Sequence, residues 1–196
     1  MDVFCNDCPR QCGAKRGPIE PGGVCRSPAL PRVSRAAPHF GEEPCISGVR
    51  GSGTIFFTGC NLRCVFCQNR EISRGGGTGE ILSVPALRDL MLRLRDQGVH
   101  NINLVTGAHF IRPIAEALQG LDLGIPVVWN SSGYESVESL RLELTVTAVN
   151  SAAPVEATPL PSTLLSTILT TTWGFFRVTQ PSSTRRFSGS RRAETS

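Results

Sequence analysis

The pattern of apolar and polar positions predicts strands and helices in alternation between residues 54 and 144. Three short runs rich in β-branched and aromatic residues, at 54–58, 102–105 and 125–129, predict buried strands. After each of these runs, apolar residues recur three and four positions apart, which is typical of amphipathic helices. Alternation at this spacing predicts right-handed parallel strand–helix–strand units and therefore an α/β fold.

The first of these helices is the most completely specified. Ser83 is the expected N-cap, Pro85 falls in the first turn, and Gly98 closes the C-terminal end. Its apolar stripe consists of Leu87, Leu90, Met91 and Leu94. A second helix is predicted to end near Gly120, and a third to begin near Ser136. The apolar stripe of the second helix consists of Ile111, Ile114, Ala115 and Leu118.

A polar or glycine-containing segment follows each predicted strand. These segments are residues 58–60, 106–108 and 130–132. Ligands of parallel α/β sheets gather at the carboxyl ends of the strands. We therefore expect one ligand pocket that all three segments line.

Three cysteines follow the first predicted strand directly. Gly59 allows the backbone to turn sharply, and Cys60, Cys64 and Cys67 then stand at C-x3-C-x2-C spacing. A cubane [4Fe–4S] cluster has four irons and usually takes four thiolates. Three thiolates on one short loop would leave one iron free to take a small molecule.

With Phe66 before the last cysteine, this motif matches the signature of the radical S-adenosylmethionine (radical SAM) superfamily. The longer string GTIFFTGCNLRCVFCQN, residues 53–69, resembles the pyruvate formate-lyase activating enzyme-like branch, which contains activases of glycyl-radical enzymes. The resemblance implies a [4Fe–4S] cluster that cleaves SAM reductively to a 5′-deoxyadenosyl radical. It also implies a partial (βα)6 TIM-like barrel, of which residues 48–144 would supply about three βα units.

The resemblance further implies a set of SAM contacts. Phe66 would lie near the adenine, and Thr106 and Gly107 would replace a Gly-Gly-Glu-like segment near the SAM amino group, without its acidic residue. Ser131 and Ser132 are expected in the same pocket, with ordinary turn chemistry as the alternative for the serines and for Thr106. No catalytic side chain beyond the three cysteines is identifiable.

The resemblance implies two kinds of partner, a glycyl-radical enzyme-like protein substrate and an electron donor such as flavodoxin or ferredoxin. Two other functions stay open. One is a metal-binding module without turnover, for example a zinc site in which His100 or His109 joins the three thiolates. The other is a truncated, inactive relative of the enzyme. For His109 we also weigh a role as proton donor against capping of the following helix.

A second group of cysteines lies near the N-terminus. Its members are Cys5, Cys8, Cys12 and Cys25, and residues 8–13 match the CPRxCG form of the relatives. The many prolines and glycines among them leave little room for regular structure, so a zinc ion or a second Fe–S cluster is expected as a staple. A flexible leader with incidental thiols is the alternative. Residues 1–47 are assigned to this Cys-rich segment and a connector, in which Cys45 is expected to be a small buried side chain.

Composition and targeting patterns indicate the cellular compartment and the classes of partner that the protein is expected to lack. The chain of 196 residues is 40% hydrophobic with a formal net charge of +4, and it carries no basic stripe interleaved with aromatic residues. It has neither a secretory signal pattern nor an apolar run of about 20 residues. We therefore expect a cytoplasmic protein with reduced thiols that binds neither nucleic acid nor membranes.

The sequence changes character after residue 144. Residues 145–196 are rich in serine, threonine and arginine and show no strand–helix alternation. We expect an irregular or disordered tail there. A reading-frame shift near residue 143 would explain the abrupt loss of resemblance, and a lineage-specific tail is the alternative.

Overall fold

The computed structural model describes residues 3–74 and 78–142. Its strands are β1 (Val3–Cys5), β2 (Ala14–Arg16), β3 (Arg32–His39), β4 (Ser52–Phe57), β5 (Glu80–Ile81), β6 (Ile102–Val105) and β7 (Val127–Asn130). Its helices are α1 (Pro44–Ser47), α2 (Arg70–Arg74), α3 (Val84–Asp96) and α4 (Ile111–Leu118), with a 3-10 turn at Ala108–Phe110. Helical backbone also runs through residues 137–142.

Five strands form one mixed sheet in the order β5-β3-β4-β6-β7. The three strands predicted from the apolar runs are β4, β6 and β7, and they are parallel neighbours with Phe56, Val105 and Asn130 in register. The prediction of parallel strand–helix–strand units is confirmed for this part of the chain. The six-unit barrel stays a prediction.

Strand β3 lies within the stretch that was predicted as a connector, for which no strand was expected. It pairs antiparallel with β4 along most of its length, and β5 pairs only with Arg32 and Val33. Pro38 cannot donate a ladder hydrogen bond, and it lies on the part of β3 that β5 leaves unpaired. The prolines of the connector excluded a long helix but not an edge-like strand.

The core fills the space between one face of the sheet and helices α3 and α4. Its largest fully buried side chains include Ile55, Phe57, Leu87, Met91, Leu94, Ile102, Leu104, Ile111, Ile114 and Leu118. These side chains confirm both predicted helical stripes, and Leu90 packs at the edge of the same core. Ser83 caps α3 by accepting a hydrogen bond from the Ala86 amide at 3.3 Å, as predicted.

The N-terminal module, defined here as residues 3–27, contains more regular structure than its composition predicted. β1 and β2 form an antiparallel hairpin in which Cys5 pairs with Ala14. An isolated bridge joins Gly22 to Ser27. The tail expected at residues 145–196 lies outside the described residues.

None of the helices in the described part of the chain combines the length and the apolar character needed to cross a bilayer.

Candidate functional site

The chain leaves β4 through a turn that only glycine fits. Gly59 has φ +81°, and a Cβ built there would lie 2.2 Å from Ser27 Oγ and 2.6 Å from the Cys25 carbonyl oxygen. The Gly59 amide donates to the Ile72 carbonyl at 2.9 Å. The predicted turn is therefore confirmed, and its cause is both a left-handed backbone and close contact with the N-terminal module.

Residues 59–69, the three-cysteine loop, begin at the carboxyl end of β4. Cys60, Cys64 and Cys67 are all partly exposed free thiols. The Leu62 amide points at Cys60 Sγ, 3.4 Å away. Arg63, between the first two cysteines, has φ +61°, which a non-glycine residue adopts rarely. The loop thus keeps a tight local conformation with its thiols open to a ligand.

Helix α2 holds the far end of the three-cysteine loop. Arg74 Nη2 donates to the Cys64 carbonyl at 2.8 Å, and Ser73 Oγ lies 3.3 Å from Cys67 Sγ. These contacts come from successive residues at the end of α2. The loop is therefore fixed at both ends, by Gly59 and by α2.

The N-terminal module contacts the same loop through Arg10. The Arg10 guanidinium donates from Nε to the Asn61 carbonyl and from Nη2 to the Leu62 carbonyl, the latter at 3.1 Å. Its Cζ also lies 5.7 Å from the centre of the Tyr134 ring. Asn61 Nδ2 donates to the Tyr134 carbonyl at 2.9 Å. The two residues after Cys60 are thus joined both to the N-terminal module and to the segment after β7.

The residues predicted to bind SAM lie at the carboxyl ends of β4, β6 and β7. Thr106 and Gly107 follow β6, Ser131 and Ser132 follow β7, and Phe66 is 61% exposed on the three-cysteine loop. A Cβ at Gly107 would lie 2.7 Å from Ile114 Cδ1 and 3.0 Å from Trp129 Cη2, so a side chain there would require these two side chains to shift. Ser131 Oγ donates to Glu135 Oε1 at 2.7 Å and accepts from the Gly133 amide, which is turn chemistry. A SAM contact by these residues stays a prediction.

Several buried polar atoms at these strand ends have no hydrogen-bond partner among the described residues. They include Asn61 Oδ1, Asn130 Oδ1 and Ser132 Oγ, and also His109 Nδ1 and Trp129 Nε1. A buried polar group without a partner is costly, so such atoms need an explanation, for example a ligand or ordered water. Asn130 and Ser132 belong to the segment 130–132 that was expected to line the ligand pocket, whereas Asn61, which stands beside Cys60, was not predicted as a site residue.

The four cysteines of the N-terminal module line one small pocket, termed here the four-cysteine pocket. Asp7, Arg10, Arg16, Asn61 and His109 line it as well. Backbone amides of Ala14 and Val24 lower the pKa of the Cys12 thiol, whereas burial raises the pKa of the Cys25 thiol. The pocket therefore lies where the N-terminal module meets the three-cysteine loop.

His109 has a different role from the two that the sequence indicated. It lies buried in the 3-10 turn, its Nε2 is 2.8 Å from the Thr58 carbonyl oxygen, and it does not cap α4. Burial is the main cause that lowers its pKa to about 4. The imidazole is therefore neutral near pH 7 and acts as a packed polar residue under the three-cysteine loop.

Cys45 corrects another expectation, because its thiol is exposed rather than buried. It belongs to the one-turn helix α1, which begins at Pro44, and only Ser47 of that helix is buried. His100 Nδ1 lies 3.0 Å from Arg50 Nη2. Among the described residues, no three His, Cys, Asp or Glu side chains stand at the spacing that a single metal ion needs. The ligands of a cubane stand farther apart, since each thiolate binds a different iron.

Comparison with known proteins indicates what this arrangement is similar to. The family model described as the Radical SAM superfamily matches residues 54–145. The chain is 35% identical over 146 residues to an uncharacterized protein of Methanocaldococcus jannaschii. That alignment covers 70% of this chain and only 41% of the relative. No solved structure matches the chain. The match to a radical SAM domain thus spans β4, the three-cysteine loop, β6 and β7.

Proposed function

We propose that this chain is a radical SAM iron–sulfur protein that cleaves SAM reductively. The observation that carries the proposal is the three-cysteine loop at the carboxyl end of β4, beside the ends of the parallel strands β6 and β7. The match of residues 54–145 to the radical SAM family model supports the same reaction class.

The residues present fit a cluster with one open iron. Cys60, Cys64 and Cys67 would hold three irons, and all three thiols are accessible on a loop that is fixed at both ends. When bound, the cluster supplies one electron to SAM, whose cleavage gives methionine and a 5′-deoxyadenosyl radical that takes a hydrogen atom from a substrate.

The protein's own part is to orient and enclose SAM. The unpartnered atoms Asn61 Oδ1, Asn130 Oδ1 and Ser132 Oγ supply hydrogen-bonding capacity at the strand ends. Thr106, whose side chain is partly exposed after β6, is the remaining polar group in the place expected for the SAM amino group. Phe66 offers an exposed ring beside Cys67 for the adenine. His109, neutral and buried, is not assigned a proton transfer.

The finer assignment rests on the resemblance of residues 53–69 to glycyl-radical activases. In that proposal the hydrogen atom comes from a glycine of a partner protein, and the electron comes from reduced flavodoxin or ferredoxin. A cytoplasmic setting belongs to the same proposal, since free thiolate ligands require a reducing compartment.

The test is made on anaerobically reconstituted full-length protein. We expect about four irons and four sulfides per chain at the three-cysteine loop, a stoichiometry that follows from a cubane. With a strong reductant, the same protein should form 5′-deoxyadenosine from SAM. Cys60→Ala should lose both, whereas Cys45→Ala, which removes an exposed thiol from α1, should keep both.

Each other outcome identifies a different function. A cluster without SAM cleavage would indicate the truncated, inactive relative. Zinc at the three-cysteine loop with no iron would indicate a metal-binding module and overturn the enzyme proposal. Cleavage of SAM without transfer of a radical to a glycyl-radical protein would keep the reaction class and remove the activase assignment.

A further inference from the structure

The four-cysteine pocket is lined by thiols from two parts of the N-terminal module, the β1–β2 hairpin and the segment bridged by Gly22 and Ser27. Cys5 ends β1, Cys8 and Cys12 lie in the hairpin turn, and Cys25 lies inside the Gly22–Ser27 bridge. A Cβ built on Gly23 would lie 3.2 Å from Cys12 Sγ and 4.0 Å from Cys25 Sγ. Those two sulfurs, 13 positions apart in the chain, therefore flank the same glycine.

A buried positive charge borders the same pocket. Arg16 is only 4% exposed, and Arg16 Nη1 lies 3.4 Å from Cys5 Sγ. Its other hydrogen bonds go to the carbonyls of Ser27, Pro28 and His109. Carbonyls satisfy the N–H groups but do not neutralise the charge. The Phe110 ring lies 5.5 Å from Arg16 Cζ, and the Asp7 carboxylate, which accepts a hydrogen bond from Cys5 Sγ, is already paired with Arg112. A buried charge is expected to have a counter-charge, and thiolates of the neighbouring cysteines would provide one.

From these two observations we infer that the four-cysteine pocket binds a thiophilic metal centre through Cys5, Cys8, Cys12 and Cys25. On binding, each thiol releases its proton to solvent and its sulfur replaces a water or other ligand on the metal, with no change of oxidation state. Four thiolates around Zn²⁺ carry a net charge of −2, and a [4Fe–4S]²⁺ cluster with four thiolates carries the same. Either centre supplies the negative charge that faces Arg16.

The binding event also draws the thiols together. No three of the described ligand side chains stand at single-ion spacing, so zinc requires the cysteine side chains to rotate into the pocket. The contacts of this module with the three-cysteine loop, through Arg10 and through the Cys25 carbonyl at Gly59, give the centre a structural role. It would fix the module against that loop.

The experiment separates this centre from the proposed SAM-cleaving cluster. The full-length Cys60→Ala/Cys64→Ala/Cys67→Ala variant, purified without oxygen, is analysed for zinc, iron and sulfide. About one zinc per chain supports a mononuclear site, and about four irons with four sulfides support a second cluster. Adding Cys12→Ser and Cys25→Ser should remove that metal, and adding Cys45→Ser instead should not. If the triple variant contains neither zinc nor iron, the proposal is overturned.

A second measurement on the unmutated chain does not depend on the folding of any variant. Thiol alkylation is followed site by site with mass spectrometry, before and after a chelator is added. Cys5 and Cys25 are buried and should react slowly in any case, so the informative thiols are exposed Cys12 and partly exposed Cys8. We expect both to react at least tenfold more slowly than exposed Cys45 until the chelator is present. Alkylation of Cys8 and Cys12 at the rate of Cys45, or a mass showing disulfides among the four cysteines, would contradict a metal centre. The result for the four-cysteine pocket does not depend on whether the three-cysteine loop supports SAM cleavage.

Discussion

The Arg10 guanidinium binds the backbone carbonyl of Asn61, the residue directly after Cys60. A second bond to the Leu62 carbonyl, 3.1 Å long, makes the contact two-pronged. The planar fork of arginine suits such a pair of carbonyls, whereas an ammonium group donates from a single point. An arginine in the N-terminal module therefore holds the backbone between the first and second cysteines of the three-cysteine loop.

Arg10→Lys tests this contact with charge retained. We expect iron loss from the three-cysteine loop on exposure to air to become several-fold faster, because one of two hydrogen bonds is lost. Arg10 is exposed and lysine keeps the charge, so urea unfolding should show a decrease of about 0.5–1.5 kcal/mol. Arg95→Lys in α3, where the exposed partner is Asp96, is the matched control. Equal behaviour of the two variants would contradict the role of Arg10.

Gly59→Ala and Gly98→Ala form a second matched pair. Both glycines have φ +81°, but a Cβ at Gly98 meets nothing within 4 Å whereas one at Gly59 meets Ser27 Oγ and the Cys25 carbonyl. A left-handed backbone alone costs about 1–2 kcal/mol for alanine. We expect Gly98→Ala to lose about that much stability in urea unfolding and Gly59→Ala to lose more, together with its iron. Equal stability of the two variants would contradict a role for the contact between Gly59 and the N-terminal module.

The polar atoms at the strand ends lead to a prediction about SAM affinity. Asn130→Ala and Ser132→Ala should each weaken SAM binding to the reconstituted, unreduced protein by roughly tenfold, the equivalent of one hydrogen bond. Iron content should stay unchanged, since neither residue is a proposed cluster ligand. Gln97→Ala at the exposed C-terminal end of α3 is the control. Equilibrium dialysis measures the affinity, and unchanged binding in both variants would remove these residues from the SAM site.

His109 gives the stability a specific pH dependence. Its folded-state pKa of about 4 lies below the ordinary value of 6.5, so the unfolded chain takes up a proton first as the pH falls. The neutral imidazole therefore contributes its full stability above pH 6.5, and this contribution decreases as the pH falls towards 4. From these two values, wild type should lose about 2 kcal/mol relative to His109→Gln between pH 7.5 and pH 5. Urea unfolding at the two pH values checks this, and parallel losses in both proteins would refute it.

The sheet illustrates which elements could be predicted from the sequence. Strands β4, β6 and β7 and helices α3 and α4 carry strong apolar periodicity, and each was predicted close to its observed position. Strand β3 was missed because its run from Arg32 to His39 contains arginines, a serine and a proline. Its strand conformation comes from pairing with β4 rather than from its own composition.

Part of the candidate site could likewise be predicted from the sequence. The spacing of Cys60, Cys64 and Cys67 after a strand ending in Gly59 is local information, since the loop lies within a few residues of chain. The same holds for the two polar segments after β6 and β7, which parallel pairing brings to one edge of the sheet. These features, and the reaction class that they indicate, can be predicted from the sequence alone.

The tertiary structure alone decided how the two groups of cysteines are related. The contacts of Arg10 with Asn61, of Arg16 with Cys5 and the His109 carbonyl, and of the Cys25 carbonyl with Gly59 join distant parts of the chain. Burial of His109 and exposure of Cys45 likewise depend on which elements pack above them. Such contacts have no periodicity along the sequence, because they arise from the packing of already folded elements against one another. The sequence by itself therefore determined the local chemistry, and the packing decided which groups share one site.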